Sequence, residues 1–184
     1  MNALKKKPVA IGLTVLICLL ALVFGVHKSV SREARKVETM FTEGVDGSGY
    51  GIQGDLDDRA ESAGVLCKLA AKYDGAAEET AAVQEALTAL DIADGPTAKA
   101  AANQMLADSV TALSLALDEL PLSKQDAKYH KDYRAAFDSS GMTLSREAAD
   151  YNAAVRNYED GVCGGLPVRL LGWLALLPDV EAFA

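Results

Sequence analysis

Residues 9–26, VAIGLTVLICLLALVFGV, run for eighteen positions without a charged side chain, directly behind Lys5, Lys6 and Lys7. As a helix this stretch is roughly 27 Å long at 1.5 Å per residue, close to the roughly 30 Å of a bilayer's hydrocarbon core. The chain is therefore expected to be tied to a membrane at its N-terminus. Val9, Ile11, Leu13, Leu16, Leu19, Leu20, Leu22 and Phe24 would present the apolar surface to lipid. The expected organisation is a short basic tail over 1–7, a transmembrane helix over 8–27, and one helical domain over 28–184 with an apolar tail from about residue 162.

Two other fates of such a segment leave sequence marks. A cleaved signal peptide needs a small-x-small processing site after the apolar run. The run here ends Leu22-Val23-Phe24-Gly25-Val26-His27, and no such pair follows closely. A lipoprotein cysteine would close the run behind a small residue, whereas Cys18 lies within it after Leu16 and Ile17. An uncleaved single-pass anchor is the expectation, with Cys18 as an apolar residue facing lipid. Lysine and arginine counts flanking the span decide orientation. Lys5, Lys6, Lys7 and the terminal amine face Lys28, Arg32, Arg35 and Lys36 across it, a near tie. Three adjacent lysines in a very short tail resemble a signal-anchor and tip the balance toward a C-terminal domain outside the cytoplasm.

From residue 37 onward, 11 basic residues stand against 25 acidic ones, a net charge of −14. Such a surface repels phosphate backbones, which argues against nucleic-acid binding. The basic stretch from Lys28 to Lys36 is the exception, able to lie against anionic headgroups. Half of the chain is hydrophobic, too much for general disorder. Cys67 and Cys163 are too few and too far apart for a disulfide scaffold, and each lies on an apolar helical position, so both are expected as buried thiols.

The pattern beyond the anchor is helical throughout. The anchor helix is expected to continue to about residue 43, with Val30, Ala34, Val37 and Met40 or Phe41 on one face. Five glycines in GVDGSGYGIQG end it in a loop. Asp55 would cap the next helix, whose stripe is Leu56, Ala60, Ala63, Leu66 or Cys67, Ala70 and Tyr73. A helix over about 77–93 carries Val83, Leu87 and Leu90. Another over about 98–120 repeats Leu106, Val110, Leu113, Leu117 and Leu120 as a coiled-coil-like seam. After Pro121, Ser123 and Asp126 form an S-x-x-D start signal. The last helix is the longest, its stripe being Tyr133, Phe137, Ser140, Leu144, Ala148, Tyr151, Val155, Tyr158 and Val162. Ser139-Ser140-Gly141 marks a weak spot within it, and Gly161, Gly164 and Gly165 end it. The fold class is all-α, an N-terminal transmembrane helix continuing into an antiparallel bundle of about four to five long helices.

Catalytic constellations are missing from this pattern. His27 and His130 have no metal-ligand spacing around them, and no H-E-x-x-H, phosphate loop, G-x-S-x-G or C-x-x-C occurs. His130, read as a partly exposed helix residue, is the one base in the domain able to orient a nucleophile. The reading is a non-enzyme without cofactor or metal. The alternative is an envelope ion sensor or small enzyme built on Asp46–Asp57, whose twelve residues have the length of a calcium loop. Tyr50 at the fifth position, Gly54 at the ninth and Asp57 in place of a bidentate glutamate weaken it.

The residues AADYNAAVRNYE, 148–159, then a glycine break and LPVRLLGWLALLPDVEAFA, resemble the C-terminal end of LemA family proteins. The matching positions are Asp150, Tyr151, Asn152, Ala154, Val155, Arg156 and Tyr158, then Pro167, Leu171, Gly172, Trp173, Glu181 and Phe183. The stretch IQGDLDDRAESAGVLCKLAAKY keeps Arg59, Leu66 and Tyr73 of a further family pattern, with Gly64 where that pattern has proline. The chain is similar to a divergent LemA member. The resemblance implies a membrane-anchored bundle of long antiparallel helices without established catalytic activity, with the bilayer and other membrane or envelope proteins as partners. On helical geometry, Tyr151, Val155 and Tyr158 should face the core, while Asn152 and Arg156 tie down the returning tail. Pro167, Leu171 and Trp173 should return over the same helices to cover the core. The competing reading of residues 166–177 is an interfacial segment anchored by Trp173.

Overall fold

The computed structural model describes residues 7–184, so the basic tail, with Lys5 and Lys6, lies outside the described residues except for Lys7. These residues form six α-helices and no strand: α1 (Lys7–Glu43), α2 (Ile52–Ala70), α3 (Ala77–Ile92), α4 (Pro96–Asp118), α5 (Lys124–Asn157) and α6 (Leu166–Ala175). The all-α class and the helical-bundle architecture read from the sequence both hold. A six-residue π-helical turn, Tyr158–Cys163, extends α5 before Gly164 and Gly165 end it. The sequence division at residues 27/28 falls just past the apolar run, which ends at Val26. The compact units divide elsewhere, the described residues up to 38 grouping with 154–180, and 39–153 with 181–184.

In the larger unit the core is built from the expected stripes. Leu106, Val110, Leu113 and Leu117 of α4 are fully buried, each such side chain contributing about 1.5–3 kcal/mol by leaving water. Val83, Ala86 and Leu90 of α3 and Leu56, Ala63 and Leu66 of α2 pack with them. Short links make successive helices antiparallel. Gly95, at φ +81°, precedes Pro96 at the start of α4, the left-handed step letting the chain reverse. The Ser123 start signal holds: its Oγ accepts from the Asp126 backbone N–H at 3.1 Å. The Asp126 carboxylate also accepts from Lys72 at 2.7 Å and from the Tyr73 hydroxyl at 2.8 Å, tying the end of α2 to the start of α5.

One boundary differs. α2 begins at Ile52 behind an extended Gly51, and Asp55 is not a cap but a buried residue inside the helix. Ile52 is 1% exposed, so the apolar stripe extends a turn earlier than Asp55 and takes the acid inward with it. The Gly141 region of α5 stays helical, and the glycine has a reason. A Cβ there would lie 2.2 Å from Nη1 of Arg59, which donates to the Phe137 carbonyl at 3.0 Å. That carbonyl is the helical acceptor for residue 141, and a side chain at 141 would shut the guanidinium out.

Gly141→Ala should therefore lower the melting temperature, although alanine is favoured over glycine in helices by about 1 kcal/mol. In an Arg59→Met background the same change should raise it. Thermal melts of the four variants check this sign reversal.

Candidate functional site

In the larger unit, Tyr151, Asn152 and Thr97 form a strap for residues 181–183. The Tyr151 hydroxyl donates to the Glu181 carbonyl at 2.9 Å. Asn152 pairs with Phe183 through both ends of its amide, Nδ2 to the carbonyl and Oδ1 from the N–H, each at 2.8 Å. Thr97 Oγ1 donates to the Ala182 carbonyl at 2.9 Å. Phe183, 8% exposed, stacks with Phe41 at 6.0 Å, and Phe41 meets Tyr151 edge-on at 5.7 Å. Asn152 makes the expected tie, whereas Arg156 and Asp150 are exposed. A strand-like tail thus has its backbone groups satisfied by side chains from helices, as buried polar backbone requires.

In the smaller unit, Val155 and Tyr158 are buried with Val30, Ala34 and Val37, and Tyr158 donates to the Pro178 carbonyl at 2.8 Å. Burial, with Cys163 and the Asp179 charge nearby, pushes the Tyr158 hydroxyl above its usual pKa. Here one expectation is corrected. Pro167 is exposed at the start of α6, Leu171 and Gly172 are half-buried, and Trp173 is 78% exposed instead of covering the core. The 100° helical step puts residue 173 beside 166 and 170, opposite Ala175, which takes the buried side.

Buried polar groups gather on α2. Arg59 is 5% exposed, donates to Asn103 Oδ1 at 2.8 Å and to the Phe137 carbonyl, and lies 3.8 Å over the Phe137 ring. Asp55 is 2% exposed and its Oδ2 has no hydrogen-bond partner, while Oδ1 is reached by the Tyr50 hydroxyl at 3.5 Å. Burial and then the charge of Glu147 push its carboxyl up to about 6. A groove of about 750 Å³ between α4 and α5 ends on Arg59, Asn152 and Phe183.

His130 is also corrected. It is buried, not partly exposed, because it lies seven residues before Phe137 on the buried stripe of α5. Its Nε2 meets Ser114 Oγ at 2.7 Å, and its Nδ1 is 3.5 Å from Asp118 Oδ1, beside a cleft of about 630 Å³. The order serine, imidazole, carboxylate matches a nucleophile with its base. However, Ser114 sits mid-helix, where neighbouring N–H groups are consumed by the helix, and Arg134 is engaged by Asp138 and Thr111. An acyl-transfer oxyanion would find no preorganised backbone donors there. The pair acts as an interhelical tie.

Asp46–Asp57 does not assemble as a calcium loop. Its last six residues, 52–57, belong to α2, Asp46 accepts from the Ser48 N–H at 3.0 Å, and Asp57 accepts from Gln53 at 2.7 Å. Among the described residues no cluster of three or more His, Cys, Asp or Glu is placed to hold a metal. Cys18 is exposed, Cys67 buried and Cys163 half-buried, all as free thiols. The eight apolar positions assigned to the anchor are all exposed, from Leu13 at 42% to Phe24 at 67%.

Compared with family models, curated proteins and solved structures, the chain finds no match. Asp55, Arg59 and the Ser114–His130 pair were not singled out as interior groups from the sequence. The available signal was register: Asp55 and Arg59 continue the stripe of Ile52, Leu56 and Ala63, and His130 continues that of Phe137.

Two outcomes follow from this geometry. Because the Asp55 carboxyl binds its proton more tightly folded than unfolded, its contribution is full below about pH 4 and is lost as pH rises through about 6. Thermal melts of Asp55→Asn should therefore gain over the native chain as pH rises from about 4 to 8; a constant difference would refute the assignment. Tyr151→Ala should cost about 3–5 kcal/mol in denaturant unfolding, and Trp173→Ala far less, because only the first is buried.

Proposed function

We propose that this chain is a single-pass membrane protein similar to the LemA family, and that its bundle is a non-enzymatic docking or scaffold module of the cell envelope. The observation that carries the reading is the state of α1. Its most apolar 18-residue window has a mean hydropathy of 2.9, and none of that window is buried by the protein. A core helix hides such a surface, whereas a helix apolar on all sides and uncovered calls for hydrocarbon around it. The strap made by Tyr151, Asn152 and Phe183 supports the family likeness, since it gives the motif a structural role. The acidic surface leaves the bundle suited to basic or neutral protein partners rather than nucleic acid.

Expressed in cells with a C-terminal tag, the chain should sediment with membranes after alkaline extraction and keep its full 19.4 kDa apart from the tag. A shortened, soluble product would overturn the anchor. In a Cys163→Ser background, Lys128→Cys should react with a membrane-impermeant thiol reagent in intact cells. Protection until lysis would place the bundle in the cytoplasm. Crosslinking before detergent extraction should capture an envelope protein on the bundle; turnover of a substrate by the purified chain without such capture would overturn the scaffold role.

A further inference from the structure

In the smaller unit α6 has two apolar faces. Ala175 is buried and Leu171 and Gly172 are half-buried on one side, while Leu166, Leu170 and Trp173 on the other are 72%, 69% and 78% exposed. Arg169 is its one charged residue. At ten residues, about 15 Å, the helix is too short to span a bilayer. The protein covers one face, and among the described residues nothing covers the other.

A hydrogen bond fixes where this face lies along α1. His27 Nδ1 donates to the Ala175 carbonyl at 2.7 Å. His27 is the first residue after the uncharged run that ends at Val26, and the exposed cations Lys28 and Arg32 follow it on α1. The C-terminal end of α6 is thereby held at the level where the apolar span gives way to charge. In an anchored chain that level is the headgroup–acyl boundary, where tryptophan is enriched and cations meet lipid phosphates.

We infer that α6 is an interfacial membrane helix, its Leu166–Leu170–Trp173 face sunk into the lipid leaflet at the end of the α1 span. The inference rests on the anchor reading and adds a second lipid contact to it. A short apolar helix clamped to the span by His27 limits rotation and tilt of the chain against the bilayer, because two separate elements now sit in the same leaflet. Amphipathic helices gain their hold from apolar area placed at this boundary.

Trp173 is the sole tryptophan of the chain, so intrinsic fluorescence reports on this face alone. The full chain is reconstituted into phosphatidylcholine–phosphatidylglycerol vesicles, and flotation is measured beside fluorescence. The expected result is a blue-shifted emission, acrylamide quenching reduced several-fold relative to the denatured chain, and stronger quenching by lipids brominated near the headgroup than by lipids brominated near the chain end. Leu166→Lys with Leu170→Lys should still float but lose the bromolipid quenching. Flotation of the native chain with Trp173 open to acrylamide would overturn the interfacial helix and leave the anchor standing. Shielding from acrylamide without bromolipid quenching would mean that protein covers the face, and would overturn it too. Failure to float would remove the anchor reading and this inference with it.

Discussion

A guanidinium buried without a carboxylate bonded to it organises the larger unit. Arg59 leaves α2, reaches Asn103 on α4, and ends on the Phe137 carbonyl and ring of α5. Burying a cation is costly unless its donors are met, and here the partners come from two other helices. The geometry in turn requires an aromatic at 137 and no side chain at 141. Three helices are thus set in register by one side chain, which generic leucine packing alone does not specify. Asp55, one turn earlier on the same helix, has one oxygen unpaired and feels the charge of Glu147, so α2 carries both a partnered and a partly unpartnered buried charge.

The chain end is held by a different logic. An extended tail cannot satisfy its own backbone groups, and burying Phe183 would leave them stranded. Tyr151, Asn152 and Thr97 supply the missing partners from α5 and α4. Apolar burial and backbone satisfaction therefore arrive together, with Tyr151 serving both the core and the strap and Asn152 the strap. Function under this reading lies in presenting a rigid helical surface, not in reacting groups.

Apolar surface is distributed unevenly along the chain. α4 spends its stripe on the core, with Leu106, Val110, Leu113 and Leu117 fully buried. α1 keeps Leu16, Leu20 and Phe24 exposed, and α6 keeps Leu166, Leu170 and Trp173 exposed. A protein wholly in water would carry that surface at a large free-energy cost. Both helices belong to the same unit, and His27 joins them. The shared chemistry of the two surfaces is what makes a common lipid environment the economical account of both.

By itself the sequence determined the helices, because periodicity of three and four is a local property that survives any packing. The α4 seam, the Ser123 start of α5, the unbroken path past Gly141 and the long α1 were all legible, as were Tyr151, Val155 and Asn152 in their roles. What the tertiary structure decided was which polar residues go inside. Asp55, Arg59 and His130 sit on buried stripes, but a polar residue at a core position is tolerated only if another helix brings a partner, and that partner is far away in sequence. Ser114 lies 16 residues from His130, and the Phe137 carbonyl lies 78 residues from Arg59. Trp173 failed for the same reason in reverse: an apolar residue on a helix with two apolar faces has no preferred side until packing chooses Ala175 for the protein and leaves the tryptophan outside.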